Sequence, residues 1–450
     1  MLLNDDKNDI EGVGLQKKSL DLVQEDLKHI WHPCTQMKDY ETLPLIPIKK
    51  GKGVYLYDYD GNKFIDSISS WWVNLFGHSN NYINEKLKEQ VENLEHVILT
   101  CFTHEPIVKL SSRLAKMTPE GLNRAFYADN GSSAIEVALK MSFQYFKNKG
   151  FSKPFFISLE NSYHGETLGA LSISDVGLYK DTFEEILLRT LHTPVPKDQS
   201  ESAALEAIES LETILHVRAH EVSALILEPL VQCAGSMHMY HPLYLKLARE
   251  LCDKYDIHLI ADEIAVGFGR TGKMFACEHA NISPDFMTLS KGLTGGYLPL
   301  SVVMTTDKVY DAFYCDYNEY KAFLHSHSYT GNPLACSVAN ASLDIFEHEN
   351  IIEENQKKIA YIAQKLERFK SLDNVANIRQ TGMIAALDII GYKPEDRIGL
   401  RVFDYALQKG VFLRPLGHVV YFMPPYVITY EQIDTMIDVA FDAIKELKDV

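Results

Sequence analysis

A chain of 450 residues with 46% hydrophobic content is long enough for two or three domains and a large buried core. Its formal charge of −17, from 44 basic and 61 acidic residues, works against non-specific binding to nucleic acid or an anionic membrane and favours solubility. Seven cysteines (34, 101, 233, 252, 277, 315 and 336) form no C-x-x-C pair and are too sparse for a disulfide framework, so a reducing cytoplasm is the expected home.

The opening stretch, to about Lys28, is polar, and its charges from Asp5 and Asp6 onward leave no apolar signal core or transit pattern. Leu20, Val23 and Leu27 at helical spacing predict a short surface helix after a loose terminus. Residues 54–58 and 63–66 flank Asp60-Gly61, which is the pattern of a β-hairpin. Between about 80 and 345, strand-like runs alternate with helical ones. Strands are expected at 124–128, 155–159, 222–227, 257–261, 286–290 and 300–305, with helices at 133–147 and 242–255. That alternation predicts an α/β domain with a largely parallel sheet covered by helices. From about Phe346, helices at 353–369, 399–409 and 430–447 and a strand at 383–388 predict a smaller α+β domain, joined by the N-terminal hairpin. The expected division is therefore 1–79, 80–345 and 346–450. No apolar run is long enough to span a bilayer.

Asp262 and Lys291 carry the most chemical information, because each ends an apolar run, 257–261 and 285–290. Open α/β sheets bind their ligands beyond the carboxyl ends of the strands. A carboxylate there can keep a pyridinium nitrogen protonated, and a lysine can condense with an aldehyde, a pairing that describes pyridoxal phosphate. At ~4 Å and an effective dielectric near ~20, the acid–pyridinium pair is worth about 4 kcal/mol before desolvation. The plainer alternatives are a structural acid capping the loop and a lysine snorkelling to the surface. Gly292, Gly295 and Gly296 argue against the second.

Three further turns fall on the same edge. Asp129-Asn130-Gly131-Ser132-Ser133 joins a strand to a helix N-terminus, which suits a phosphate and equally suits a plain capped helix. Tyr163 and His164 follow the strand at 155–159, so the tyrosine either stacks on a flat ring or packs at a domain seam. Glu228, before Pro229, either hydrogen-bonds near ring substituents or faces water. The loop Gly267-Phe268-Gly269-Arg270-Thr271-Gly272 does not have the spacing of a dinucleotide fingerprint.

In order and spacing, Asp262, Lys291, Gly131-Ser132 and Tyr163-His164-Gly165 resemble class III pyridoxal-phosphate aminotransferases of fold type I, over nearly the whole chain. Trp31-His32-Pro33-Cys34-Thr35-Gln36-Met37, Ser69-Ser70-Trp71-Trp72, Asp262-Glu263-Ile264-Ala265 and Arg414-Pro415-Leu416-Gly417 resemble more narrowly the branch that serves biotin biosynthesis. The resemblance implies a mostly parallel seven-stranded sheet and a ping-pong transamination of 8-amino-7-oxononanoate to 7,8-diaminononanoate. It casts Lys291 as cofactor anchor and proton shuttle, with Asp262 on the pyridine nitrogen. It puts Gly131 and Ser132 on the phosphate, Tyr163 over the ring and Glu228 beside it. It also implies a homodimer in which His327 and Ser328 approach the neighbouring subunit's cofactor. For the substrate it points to Arg414 on the carboxylate, with Trp71, Trp72, Tyr163, Ser326 and Tyr421 around the chain and Cys34 near the donor.

The sequence departs from that pattern twice. Cys34 stands where many members have tyrosine, and Ser326-His327 replaces a Gly-Pro pair. Both bear on the amino donor, which is S-adenosylmethionine or, as in some members with a similar His-Ser-Tyr-Thr-Gly-Asn stretch, lysine. Rival readings are another ω-aminotransferase, a pyridoxal-phosphate lyase or aminomutase, and a non-catalytic binding protein. Arg414 and the Trp71-Trp72 pair argue against the lyase or aminomutase, and Lys291 with Asp262 against the binding protein.

Overall fold

Strands from distant parts of the chain meet in one seven-stranded sheet in the computed structural model, which describes residues 17–449. In spatial order they are Arg124–Ala128, Ser301–Thr305, Phe286–Leu289, His258–Asp262, Val222–Leu227, Phe155–Leu159 and Leu191–Thr193. Ser301–Thr305 runs antiparallel to both neighbours, and the other six strands share one direction. Every residue of Val222–Leu227 and of His258–Asp262 is buried. Helices explain this. On one face Ile135, Ala138 and Met141, from helix Gly131–Asn148, pack on Ile226, Ile260, Phe286 and Val303. On the other, Leu211 and Leu215 of Glu201–Arg218 and Tyr244, Leu245 and Ala248 of Pro242–Lys254 pack on Ile157, Leu225 and Leu259. A strand covered on both faces reads as a continuous apolar run, as expected for a parallel sheet.

Two smaller sheets sit beside it. The hairpin forms as expected, with Leu56 opposite Phe64 across strands Tyr55–Asp58 and Lys63–Asp66. Ile48–Lys52 extends it on one side, and on the other Val411–Phe412 pairs in parallel with Lys63–Asp66. Val375–Thr381, Ile384–Ile389 and Val419–Phe422 make an antiparallel sheet. The helices expected near the C-terminus are Ile351–Leu366, Ile398–Gln408 and Tyr430–Lys445.

The surface helix is Lys17–His29, and the loose terminus expected before it lies outside the described residues. Of its expected apolar positions Val23 is half-buried while Leu20 and Leu27 remain exposed, and the buried Ser19 donates to the Asp60 carboxylate at 3.1 Å. Among the described residues no helix is long and apolar enough to cross a membrane, and no group of side chains has the makings of a metal site.

Candidate active site

The acid at the end of the central strand is held on three sides. Asp262, 5% exposed and the last residue of His258–Asp262, pairs in register with Thr288 on the next strand. Its Oδ1 accepts from the Ile264 backbone N–H (3.1 Å) and the Thr288 hydroxyl (3.3 Å), and its Oδ2 lies 2.8 Å from Nδ1 of the buried His164. The opposite ring nitrogen of His164, Nε2, is buried with no partner.

Lys291 opens the short turn Lys291–Thr294 just after Phe286–Leu289. Its φ of 42° is left-handed, a conformation that costs a non-glycine residue about 1–2 kcal/mol, and Gly295 at φ 59° closes the turn. The Nζ stands 4.8 Å from the centroid of the Trp72 ring. Burial holds the amine below its ordinary pKa, against the opposing pull of Cys233, Asp262 and Glu228. Glu228, beyond Val222–Leu227, accepts the Tyr163 N–H on Oε1 (2.9 Å) and the Cys233 N–H on Oε2 (3.1 Å). Burial pushes its carboxyl up to about 7.

At the other end, Asn130 caps helix Gly131–Asn148 by accepting the Ser133 N–H at 3.0 Å. Ser132 Oγ accepts the Thr167 N–H (3.0 Å) and lies 2.8 Å from the Thr167 hydroxyl, which donates to Glu136 Oε1 at 2.6 Å. That same oxygen accepts the backbone N–H groups of Gly169 and Ala170. The 163–167 turn therefore lies directly on the helix start. A Cβ on Gly165, at φ +127°, would come within 2.4 Å of Ser132 Oγ. Tyr163 donates its hydroxyl to Glu166 (3.0 Å) and sets its ring edge-on to Tyr179, 5.3 Å between centroids.

A third group gathers beside Lys291. The Trp72 indole N–H donates to the hydroxyl of the buried Tyr421 at 3.1 Å. The Arg414 guanidinium lies 4.8 Å from the Trp71 ring centroid, and its Nη2 donates to the Cys34 carbonyl at 3.2 Å. Cys34 Sγ is 3.7 Å from Glu166 Oε1, and burial and that carboxylate push the thiol's pKa up. Arg270, in the glycine-rich loop and only 1% exposed, donates to the carbonyls of Pro424 (2.7 Å) and Asn74 (3.1 Å).

Within one chain, then, Cys34, Trp71, Trp72, Gly131, Ser132, Tyr163, Glu228, Asp262, Lys291, Arg414 and Tyr421 lie in three contiguous groups. Ser326, His327 and Ser328 do not join them. Ser326 and Ser328 are exposed, and His327 Nδ1 accepts the Tyr329 N–H of its own loop. The next residue back, His325, meets Lys140, more than two turns along the helix from Ser132. Thr288, Glu136, Thr167, Glu166 and Tyr179 went unassigned in the sequence. A polar residue inside the apolar run 286–289 was the one available signal for Thr288, and the others had none.

These residues fit pyridoxal phosphate. A buried carboxylate suits its ring nitrogen, a helix N-terminus with two adjacent hydroxyls suits its phosphate, and an amine of lowered pKa suits its aldehyde. The glycines at 131 and 165 leave the approach open: a Cβ at the first would press on Ile264 (3.0 Å), and one at the second on Ser132.

The family model described as Aminotransferase class-III matches residues 35–444. The adenosylmethionine-8-amino-7-oxononanoate aminotransferase of Helicobacter pylori is 51% identical over 429 residues, 94% of this chain and 97% of that one. The protein of the same name from Geobacter sulfurreducens is 44% identical over 92% of this chain and 95% of its own. The crystal structure of adenosylmethionine-8-amino-7-oxononanoate aminotransferase from Methanocaldococcus jannaschii matches with a TM-score of 0.91 at 37% identity, over 95% of this chain and 99% of that one. An (S)-enantioselective omega-transaminase from Thermomicrobium roseum has the same TM-score at 27% identity, over 96% and 99%. The chain belongs to the class-III aminotransferases, enzymes that use pyridoxal phosphate to carry an amino group from one substrate to another.

Proposed function

We propose that this chain converts 8-amino-7-oxononanoate to 7,8-diaminononanoate for biotin synthesis, with S-adenosylmethionine as the amino donor. The observation that carries the reading is the slot beside Lys291: two indoles, Trp71 and Trp72, with the Arg414 guanidinium stacked on the first and the Lys291 amine over the second. An acceptor with a carboxylate at one end, an aliphatic middle and a ketone at the other matches that layout. The relatives' shared name points to the same pair of substrates.

When bound, pyridoxal phosphate supplies an electrophilic carbon for the amine and a ring that takes up charge as a Cα proton leaves. Asp262 would hold the ring nitrogen protonated, with His164 orienting its carboxylate. Gly131, Ser132 and the helix N-terminus would hold the phosphate and Tyr163 would cover the ring, while Glu228 fixes the Tyr163 backbone. Lys291 would anchor the cofactor between turnovers, and its free amine would take up and return the proton at the substrate's reacting carbon. Its lowered pKa leaves more of the free base at neutral pH, as a proton shuttle requires. Arg414 grips the acceptor's carboxylate, and the fork geometry of a guanidinium suits that task. The second half-reaction runs the same proton steps backwards on the keto acid.

The reading extends to a homodimer in which His327 and Ser328 reach the neighbouring subunit's phosphate and Ser326 its substrate, which agrees with the exposure of that loop in one chain. It also extends to a cytoplasmic home, and to a division into 1–79, 80–345 and 346–450 in which the second part holds the cofactor and the hairpin of the first joins the third in a smaller domain. Lysine is the alternative donor, raised by the resemblance of the stretch His327-Ser328-Tyr329-Thr330-Gly331-Asn332 to members that use it. The deciding experiment follows the bound-aldehyde absorbance of purified holoenzyme in two parallel half-reactions, one with each donor. S-adenosylmethionine alone should bleach it and 8-amino-7-oxononanoate should restore it; bleaching by lysine alone would reassign the donor, and no restoration by the keto acid would remove the acceptor.

A further inference from the structure

Ser69, Ser70, Trp71 and Trp72 have φ of 54°, 46°, 73° and 73°, so the chain makes a turn of left-handed helix with no glycine in it. Each residue with a Cβ disfavours that conformation, and a run of four persists only when its surroundings over-determine it. The turn's own bonds, Trp72 N–H to the Ile68 carbonyl and Val73 N–H to the Ser69 carbonyl, are available to a right-handed turn as well. They do not choose the hand.

The surroundings that choose it are specific. Asp66, fully buried at the end of Lys63–Asp66, accepts the Ser70 backbone N–H on Oδ1 (2.9 Å) and the Ser70 hydroxyl on Oδ2 (2.6 Å). His78 Nε2 lies 2.9 Å from the same Oδ2. The other nitrogen of His78 faces the Asn74 side-chain amide at 3.2 Å; because a carboxylate oxygen accepts, Nε2 is the donor toward Asp66. On the far side the Ser69 hydroxyl donates to the Met423 carbonyl at 2.7 Å. With the turn held this way, Trp71 meets Arg414 while Trp72 meets Lys291 and Tyr421.

We propose that Asp66 is a positioning residue for the acceptor half of the reaction: through Ser70 and His78 it keeps the Ser69–Trp72 turn left-handed and so sets the shape of the substrate slot. The inference rests on the assignment of Trp71 and Trp72 to the acceptor. Asp66 acts at one remove, since its carboxylate is taken up by Ser70 and His78. Without it the turn relaxes toward the right-handed form, and both indoles leave their partners.

The test uses holoenzyme carrying Asp66→Asn, Ser70→Gly, or both. Asparagine presents one acceptor oxygen where the carboxylate presents two, and it removes the charge from all three bonds. Loss of one charge-assisted bond at the turn should raise the KM for 8-amino-7-oxononanoate about tenfold or more. The donor half-reaction shares Lys291 and its Trp72 neighbour but not the Arg414 grip on the acceptor, so it should be slowed several-fold less than the acceptor half-reaction, and the near-UV circular dichroism of the indoles should change. Glycine takes positive φ freely, so Ser70→Gly in the Asp66→Asn background should recover most of the lost KM and the indole signal. Equal damage to both half-reactions, or a defect that glycine does not relieve, overturns the proposal. Should Asp66→Asn fail to fold, Ser70→Ala removes the hydroxyl bond alone and should raise the same KM by a smaller factor; an unchanged KM overturns the proposal equally. A wild-type enzyme inert toward the keto acid would instead tell against the assigned acceptor, and the indole spectra of the variants would still decide the role of Asp66.

Discussion

Replacing Asp262 with asparagine separates the charge of this side chain from its shape. The carboxylate takes three donors, the Ile264 N–H, the Thr288 hydroxyl and the ring N–H of His164, and it is almost wholly removed from water. Asparagine offers one acceptor oxygen in place of two, so its NH₂ must oppose either His164 or the Ile264–Thr288 side. The larger effect falls on the cofactor. A carboxylate about 4 Å from a pyridinium nitrogen, at an effective dielectric near 20, contributes about 4 kcal/mol to keeping that nitrogen protonated. Loss of that interaction as charge develops corresponds to nearly three decades in rate, at about 1.4 kcal/mol per decade. Single-turnover absorbance of Asp262→Asn holoenzyme, with S-adenosylmethionine and with the keto acid in separate experiments, should show both half-reactions slowed by about 10³-fold. Far-UV circular dichroism should match wild type. Less than tenfold slowing in both directions would refute the ring-nitrogen assignment, and slowing of only one would show that Asp262 serves a substrate.

Three further outcomes follow from the same geometry. Arg414→Lys keeps the charge but loses the planar fork and its stacking on Trp71, so the KM for the acceptor should rise about tenfold to a hundredfold with kcat little changed; a fall in kcat alone would move Arg414 out of the carboxylate's path. Lys291 is held below its ordinary pKa of 10.5 by burial, so in the cofactor-free protein its charged form destabilises the fold at neutral pH, and the penalty fades as pH rises toward 10.5. Lys291→Met should abolish turnover yet raise the Tm of cofactor-free protein at pH 7, by a margin that shrinks toward pH 10.5; a margin that grows with pH would reverse the sign assigned to the amine. Gly165→Ala adds a methyl 2.4 Å from Ser132 Oγ at a φ that alanine resists, so titration of apoenzyme with pyridoxal phosphate should show an affinity at least about tenfold weaker; unchanged affinity would mean that the 163–167 turn does not shape the phosphate site.

The central strands were legible because two layers of helix cover them. Val222–Leu227 is buried at every position, so the apolar run and the strand coincide. Where burial is partial the signal fades. Val375–Thr381 is half-exposed and interrupted by a register shift between Ala376 and Arg379, with Asn377 at φ 49°, and its sequence gave no strand reading. Leu191–Thr193 is too short to show a period. The surface helix was found through Leu20, Val23 and Leu27, yet the two leucines lie outside and a buried serine bonds it to Asp60. In the site, Asp262 and Lys291 were readable because a strand end is a local feature. The contacts that bring the site's parts together are not local: Thr167 meets Glu136 across 31 positions, Cys34 meets Glu166 across 132, and Arg414 meets Cys34 across 380. Charged and polar residues spaced that far apart have no period, and only the folded chain shows which of them meet.

The parallel pairing of Lys63–Asp66 with Val411–Phe412 ties the order of synthesis to the order of assembly. The hairpin can form as soon as it leaves the ribosome, but one edge of it stays open until Val411–Phe412, far along the chain, has also been made. The closing strand ends two residues before Arg414, so one late pairing both shields that edge and delivers the guanidinium to Trp71. A chain stopped before Val411 would lack both that pairing and Arg414, and it would expose an unpaired strand to its neighbours.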